Sequence, residues 1–233
     1  MHRSLFLAVI AATLQAIAVA LWAAEPSDGV FDLDHLDVKI TESLPYLELS
    51  HEGHRVLLMR HQDPDHVIEP PYQTTSRPCP PYCVQPMQVA PGVETIGELE
   101  LIEYLRRVAA GDPSVLVIDS RTQEWVARGT IPGALNVPYT KLAPDTATPE
   151  QIAAMLQLEL GAARADGLWD FENVKTLVLF CNGAWCGQSP TNIKALLNLG
   201  YPAHRIKWYR GGMQAWEALG LTTVVPHSAQ APD

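Results

Sequence analysis

The stretch VLFCNGAWCGQSPTN, residues 178–192, decides how the rest of the chain is interpreted. The apolar run KTLVLF ends directly before Cys181, as expected of a strand buried on both faces of a parallel sheet. A loop with two glycines then leads past a second cysteine, Cys186, to Ser189 and Pro190, which are typical of a helix cap and a first helical position. The pattern predicts a strand, a loop and a helix, with Cys181 at the carboxyl end of the strand.

The segments on either side of this stretch alternate between strand-like and helix-like patterns. Thr148 is the expected N-cap of one helix, because Pro149 follows it in the first turn. Alternation of this kind predicts an α/β fold, a parallel sheet covered by helices on both faces. The predicted helices cover 98–111, 122–129, 148–164, 189–200 and 212–220, and the predicted strands cover 114–120, 134–139, 175–180 and 205–209.

The carboxyl ends of the strands are where an open parallel sheet binds its ligand. Cys181 lies at this edge, and the backbone N–H groups of the following loop can form a concave site for an anion. The same field stabilises a thiolate and lowers the pKa of a cysteine, so Cys181 is a candidate nucleophile. The alternative is a buried structural cysteine. The other residues that follow predicted strands are Asp119, Ser120, Arg121, Arg210, Gly211 and Gly212.

Two segments resemble the rhodanese-type sulfurtransferase domain. VLVIDSRTQEWVARGTIPGALNVPY, residues 115–139, is similar to the family's Asp-x-Arg … Gly-His-Ile-Pro-Gly-Ala-x-Asn-Ile-Pro stretch. LFCNGAWCGQSPTNIKALLNLGY with KWYRGGMQAW, within residues 179–216, is similar to its cysteine loop, helix and Gly-Gly-x-x-x-Trp ending. The resemblance covers about residues 93–222. It implies a rhodanese-like parallel five-stranded sheet flanked by helices, and a Cys181 that carries a persulfide sulfur from a donor to a thiophilic acceptor.

The candidate site residues follow partly from this resemblance and partly from their position after predicted strands. Cys181 and Cys186 are predicted to be catalytic, and the backbone of residues 182–187 is implied to line the pocket. Asp119 is predicted to be structural, holding the neighbouring backbone or Arg121 in place. The predicted substrate-binding residues are Asn182, Gly183, Ala184, Trp185, Gly187, Gln188, Arg121 and Arg210.

The chain departs from the family at the positions that bind anions. An arginine usually stands just before the serine that opens the helix, and this chain has Cys186, Gly187 and Gln188 there. A charged hydrogen bond contributes about 1.5–3 kcal/mol, so its loss would weaken anion binding about 10- to 150-fold unless another arginine reaches the site. Gly187 also replaces the arginine of the related cell-cycle phosphatases, which argues against phosphatase chemistry. Thr130 replaces the family's histidine.

Cys186 has three possible roles. It would act as a resolving thiol if it attacked a persulfide or sulfenate on Cys181, giving a disulfide. A permanent Cys181–Cys186 disulfide would instead silence the site, and an ordinary loop thiol would do neither. Trp185 beside it is expected to be either a hydrophobic lid over the pocket or a packed loop anchor.

Residues 1–24 have the features of a secretory signal peptide, with Arg3, an apolar run from about Leu5 and small residues near its end. An uncleaved membrane anchor is the alternative, because about 20 apolar residues can span a bilayer. Export places the protein in the periplasm or outside the cell, where disulfides form.

The segment 25–90 differs from the α/β part. LPYLELSHEGHRVLLMR predicts a small β-hairpin with its turn at Glu52 and Gly53, and a proline-rich arm follows. Cys79 and Cys83 are disulfide candidates that would staple this arm. The rhodanese-like domain is then predicted over 91–226, and a flexible tail over 227–233.

The composition of the chain restricts the classes of partner that it is expected to bind. The net charge of −10 argues against binding to nucleic acid or an anionic membrane surface. A small sulfur compound or a protein thiol is the expected partner, with membrane contact only if the signal segment stays uncleaved. We predict neither a cofactor nor a metal site, because the histidines at 51, 54, 61 and 66 match no ligand spacing. The alternative functions are a catalytically silent binding module and a thiol–disulfide oxidoreductase.

Overall fold

The computed structural model describes residues 32–226, and the chain divides into two units, Met1–His35 and Leu36–Asp233. The described end of the first unit is a turn in which the imidazole Nδ1 of His35 lies 2.9 Å from the carboxylate of Asp32. The predicted signal segment 1–24 and the predicted tail 227–233 lie outside the described residues. Within the described part of the chain, no helix is long and apolar enough to span a bilayer.

The second unit contains nine strands and five α-helices among its described residues. The strands are β1 Tyr46–His51, β2 His54–Met59, β3 Glu94–Ile96, β4 Val115–Asp119, β5 Leu135–Asn136, β6 Ala163–Ala165, β7 Leu168–Asp170, β8 Thr176–Phe180 and β9 Ile206–Tyr209. The helices are α1 Glu98–Ala109, α2 Gln123–Val126, α3 Pro149–Ala154, α4 Gln188–Asn198 and α5 Gly212–Ala218.

The main sheet confirms the predicted fold class. Its five strands have the order β3-β9-β8-β4-β5, and every neighbouring pair is parallel. In the central strand β8, Leu177 and Leu179 pack into one hydrophobic cluster, whereas Val178 and Phe180 pack into the other, and all four are fully buried. The continuous apolar run of this strand is explained by these two covered faces.

The predicted hairpin is present, formed by the antiparallel strands β1 and β2. His51 pairs with His54 across a two-residue turn, and Glu52 and Gly53 both have positive φ, of 48° and 82°. Such a turn matches the right-handed twist of the two strands, which is why Gly in its second position favours a hairpin. Leu49 and Leu58 join one of the two clusters of the main sheet, so the hairpin shares its core.

The prediction of one continuous helix over 148–164 is wrong in its second half. Thr148 does cap α3, accepting a hydrogen bond from the Gln151 N–H, and Pro149 is its first residue. A single π-helical turn, Met155–Glu159, follows, and the chain then leaves the helix through Gly161 at φ +81°. The last part of the segment is β6, which pairs antiparallel with β7. A local hairpin therefore replaces the end of the predicted helix, and its two-residue turn, Asp166 and Gly167, has positive φ at both positions.

Two strands of the main sheet differ from the prediction. Strand β5 is shorter than predicted, and strand β3 was not predicted from the sequence pattern. The predicted strand 134–139 pairs only over β5, because Pro138 has no N–H to continue the ladder. The edge strand β3 has three residues, too few to produce a recognisable period, and only the family resemblance implied a fifth strand.

Candidate active site

Cys181 is the first residue after the central strand β8, between the carboxyl ends of β4 and β9. Its side chain is 2% exposed. The sulfur accepts a hydrogen bond from the Ser189 hydroxyl at 3.1 Å, and its S–H contacts the Cys186 carbonyl oxygen at 3.4 Å. The strand therefore delivers a buried thiol to the edge of the sheet, where a loop and the start of α4 surround it.

Ser189 is not the helix cap that the sequence pattern predicts. Gly187 occupies the N-cap position, and Ser189 lies within the first turn of α4, fully buried. Its oxygen accepts a hydrogen bond from the indole N–H of Trp208 at 3.0 Å. Because a hydroxyl has one hydrogen, this arrangement commits that hydrogen to the Cys181 sulfur.

The surroundings of Cys181 favour its thiolate. Burial alone would raise the pKa of Cys181, but hydrogen bonds from the Cys186 thiol, from the Ser189 hydroxyl and N–H, and from the Gly183 N–H outweigh it and lower the pKa. The opposite holds for Cys186, whose pKa is raised because its thiol donates to Cys181 and is itself buried. The two thiols therefore differ in role, one the thiolate and the other its hydrogen-bond donor.

The N-terminal turn of α5 holds the beginning of the loop. The N–H of Met213 donates to the Cys181 carbonyl and that of Gln214 to the Asn182 carbonyl, both at 3.0 Å. Gly212 has φ +57°, and a Cβ there would lie 2.6 Å from the Gly183 nitrogen. Only glycine fits this close approach without moving the backbone that carries Cys181.

A buried ion pair lies beside the loop. The Arg121 Nε donates to both carboxylate oxygens of Asp119, at 2.9 and 3.0 Å, and both side chains are almost completely buried. Thr130 donates a further hydrogen bond to the same carboxylate. The Arg121 Nη2 reaches the Gly129 carbonyl, and its Nη1 reaches the hydroxyl of Tyr72 at 2.8 Å. All three guanidinium nitrogens of Arg121 thus donate to acceptors within the protein.

Tyr72 connects this ion pair to the cysteine loop. Its hydroxyl donates to the Asn182 Oδ1 at 2.9 Å, and the Asn182 amide nitrogen lies 3.9 Å from the Cys186 sulfur. Burial raises the pKa of Tyr72 well above its usual value, so the hydroxyl stays protonated and keeps its role as a donor. The polar chain from Arg121 through Tyr72 and Asn182 orients the amide beside Cys186.

The proline-rich arm packs against the same loop. The Gln85 N–H donates to the Ala184 carbonyl at 2.8 Å. The guanidinium of Arg210, half-buried, donates to the carbonyls of Gln85 and Pro86 rather than to the loop. The predicted disulfide between Cys79 and Cys83 is present, with the two Cα atoms 4.7 Å apart.

Trp185 lies between the arm and α5. Its indole N–H donates to the Gln214 side chain at 2.7 Å, and its ring meets Tyr82 edge-on at 5.5 Å between centroids. The Arg77 guanidinium carbon lies 4.0 Å from the centre of the Trp185 ring. Both Tyr82 and Arg77 belong to the arm, so this ring contacts the covering segment directly.

Comparison with known proteins identifies the domain. The family model of the rhodanese-like domain matches residues 102–219, which is half of the chain. The chain belongs to the rhodanese-like family.

Known relatives of this rhodanese-like chain are of several kinds. An HTH-type transcriptional regulator of Mycobacterium tuberculosis is 29% identical over 119 residues, which cover 51% of this chain and 41% of that protein. The chain thus spans about two fifths of the length of this curated relative. A human single-domain sulfurtransferase structure shares 25% identity over 54% of this chain and 96% of its own, with a TM-score of 0.36. A thiosulfate sulfurtransferase structure from Pseudomonas aeruginosa shares 19% sequence identity over 57% of this chain and 20% of its own, with a TM-score of 0.37.

The rhodanese-like domain brings the predicted loop residues together around Cys181 but uses the two predicted arginines elsewhere. Arg121 binds Asp119 and Tyr72, and Arg210 binds the arm. The sequence gives no local signal for the contact of Trp208 with Ser189. The arm residues that reach the loop were also overlooked, since no local pattern relates them to it. They are Tyr72, Arg77, Tyr82 and Gln85.

Proposed function

We propose that the chain is a sulfurtransferase in which Cys181 carries sulfur as a persulfide. The Cys181 thiolate attacks the outer sulfur of a donor such as thiosulfate, the S–S bond of the donor breaks, and sulfite leaves with its electron pair. A thiophilic acceptor such as cyanide then attacks the outer sulfur of the persulfide, giving thiocyanate and restoring the Cys181 thiolate. A covalent intermediate of this kind divides one transfer into two simpler steps.

The observation that carries this proposal is the hydrogen bond from Ser189 to the Cys181 sulfur. The Ser189 hydroxyl donates to that sulfur while its oxygen accepts from the Trp208 indole, and the resulting thiolate lies at the carboxyl end of the strand. Hydrogen bonds to a charged group contribute about 1.5–3 kcal/mol, enough to shift a thiol toward its reactive form. A structural cysteine in a core has no need of such donors.

A second candidate function, thiol–disulfide exchange, is favoured by the presence of two free thiols in one loop. Cys181 and Cys186 are both buried and free, and the Cys181 sulfur lies 3.4 Å from the Cys186 carbonyl oxygen. Attack of Cys186 on the inner sulfur of the Cys181 persulfide would form the Cys181–Cys186 disulfide and release the outer sulfur as hydrogen sulfide. In the third alternative, the silent binding module, that disulfide would be permanent.

Export is part of the proposal, with residues 1–24 as the signal peptide, 25–90 as hairpin and arm, 91–226 as the rhodanese-like domain and 227–233 as the tail. The Cys79–Cys83 disulfide supports an oxidising compartment, periplasmic or extracellular. The net charge of −10 supports a small sulfur compound or a protein thiol as partner rather than nucleic acid.

The test is mass spectrometry of the purified protein before and after incubation with thiosulfate or a persulfide donor. We expect the peptide that contains Cys181 to gain one sulfur atom and to lose it on addition of cyanide. Cys181→Ser should gain none, whereas Cys186→Ser should still gain it.

Three other outcomes separate the alternatives. Sulfur uptake that persists in Cys181→Ser would refute the assignment of the nucleophile. A Cys181–Cys186 crosslink that exchanges reversibly with a dithiol would favour the oxidoreductase. A crosslink that resists mild reduction, with no sulfur uptake, would favour the silent module.

A further inference from the structure

The loop that surrounds Cys181 has no cation of its own. Residues 182–188 are Asn, Gly, Ala, Trp, Cys, Gly and Gln, all uncharged. Many sulfur donors are oxyanions, and their negative end needs a partner when it leaves water. Some other part of the molecule must therefore supply the positive charge if such donors are used.

Two of the three guanidinium groups near the loop are engaged elsewhere. Arg121 is fully buried and donates to Asp119, Gly129 and Tyr72. The Arg210 Nε and Nη2 donate to the carbonyls of Pro86 and Gln85. Moving Arg121 to an anion would leave the buried Asp119 carboxylate unpaired, which costs about 1–3 kcal/mol or more. Arg210 would have to release both arm carbonyls.

Arg77 is the third guanidinium, and it has donors to spare. Its central carbon lies 4.0 Å from the centre of the Trp185 ring and 5.7 Å from that of the Tyr82 ring. Its Nη2 donates to the Pro71 carbonyl at 2.7 Å. Its Nε is buried and has no hydrogen-bond acceptor among residues 32–226.

This environment fixes the guanidinium without neutralising it. Stacking on an aromatic ring holds a guanidinium in place and leaves the N–H groups around its rim available. The planar donor fork of arginine matches two oxygens of an oxyanion. The Cys79–Cys83 disulfide closes the next turn of the arm and includes Tyr82 in its loop, which keeps the arm folded around Arg77.

We propose that Arg77 is the specificity-determining residue of the Cys181 site, binding the anionic end of an oxyanion sulfur donor such as thiosulfate or a thiosulfonate. The arm thereby replaces the arginine that is absent before the helix-opening serine. The inference rests on the proposed sulfurtransferase function but is tested apart from it.

The test measures thiosulfate binding to Cys181→Ser protein by isothermal titration calorimetry, where no sulfur can be transferred. Adding Arg77→Gln should raise the Kd about 10-fold or more, the lower end of what a charged hydrogen bond contributes. Arg77→Lys should give an intermediate Kd, because it keeps the charge and loses the planar fork. Arg164→Gln is the matched control, because it removes a guanidinium that stacks on another tryptophan, Trp169 at 4.7 Å, outside the arm, and it should change the Kd by less than about 3-fold.

An unchanged Kd in Arg77→Gln, an equal rise in Arg164→Gln, or no thiosulfate binding at all would each overturn the assignment of Arg77. The alkylation of Cys181 by iodoacetate and by neutral iodoacetamide gives a second readout in the protein with Cys181 intact. Arg77→Gln should lower the rate ratio of the two reagents, whereas an equal fall in both rates would contradict the inference. Thiosulfate binding that depends on Arg77, without sulfur uptake by Cys181, would refute the proposed function and keep the anion site.

Discussion

Cys79 and Cys83 are joined in a disulfide, whereas Cys181 and Cys186, at a similar separation in sequence, are free. The first pair lies in the proline-rich arm, with Cys79 exposed to solvent. The second pair is buried at the end of the central strand, where Ser189 and the loop N–H groups bind the sulfur of Cys181. Sequence spacing is nearly the same in the two pairs, so the surroundings of each sulfur determine its chemistry. The Cys79–Cys83 disulfide crosslinks the arm that packs on the cysteine loop, whereas the Cys181 and Cys186 thiols are proposed to carry out the chemistry.

The largest expected effect comes from removing the donor that distinguishes the second pair. Ser189→Ala deletes the hydrogen bond to the Cys181 thiolate, which is worth about 1.5–3 kcal/mol, so the pKa of Cys181 should rise by about one to two units. The unaltered protein has this pKa lowered to about 7. Because a higher pKa leaves less thiolate at neutral pH, the alkylation rate at pH 7 should fall about 5- to 50-fold. The measurement is the iodoacetamide rate of Cys181 as a function of pH.

Thr191→Ala is the matched control for this change. Thr191 is an exposed hydroxyl residue on the same helix, and its replacement should not change the pH dependence of the Cys181 alkylation rate. If Ser189→Ala kept the profile of the unaltered protein, the hydroxyl would have no part in stabilising the thiolate.

An effect of middle size tests the first pair. In Cys79→Ser combined with Cys83→Ser, the arm loses a crosslink that stabilises it by about 2 kcal/mol on the loop-entropy estimate. The arm should open more often, and alkylation of Cys181 by iodoacetamide should become faster by up to about 30-fold. Met87→Ala, an exposed arm position outside the disulfide loop, should leave the rate unchanged. Equal rates in all three proteins would mean that the arm does not limit access to Cys181.

The smallest expected effect concerns the polar chain between the ion pair and the loop. Tyr72→Phe removes the hydroxyl that accepts from Arg121 and donates to Asn182. The free energy of unfolding should fall by about 1–2 kcal/mol, because a buried donor and a buried acceptor lose their partner. Denaturant unfolding measures this change, with Tyr104→Phe on α1 as the control. If Tyr72→Phe were as stable as the control, the hydrogen bonds of the Tyr72 hydroxyl would contribute nothing to the free energy of unfolding.

The sequence determines the parts of this molecule whose cause is local. Cys181 at a strand end follows from the apolar run before it, and the hairpin follows from Gly53 in its turn. The contact of Tyr72 with Asn182 joins residues 110 positions apart, and no periodicity in either segment reports it. The contact of Ser189 in helix α4 with Trp208 in strand β9 was missed for the same reason, since the two residues are 19 positions apart.

Tyr72 and Arg77 both lie outside residues 102–219, the span that defines the family. The edge strand β3 precedes that span as well. A recombinant fragment trimmed to the family boundaries would therefore lack the hydroxyl bound to Arg121, the Tyr82 and Arg77 side chains beside Trp185, and one strand of the sheet. The segment that must be transferred to keep this site intact in another protein is therefore longer than the family domain, because it includes the arm.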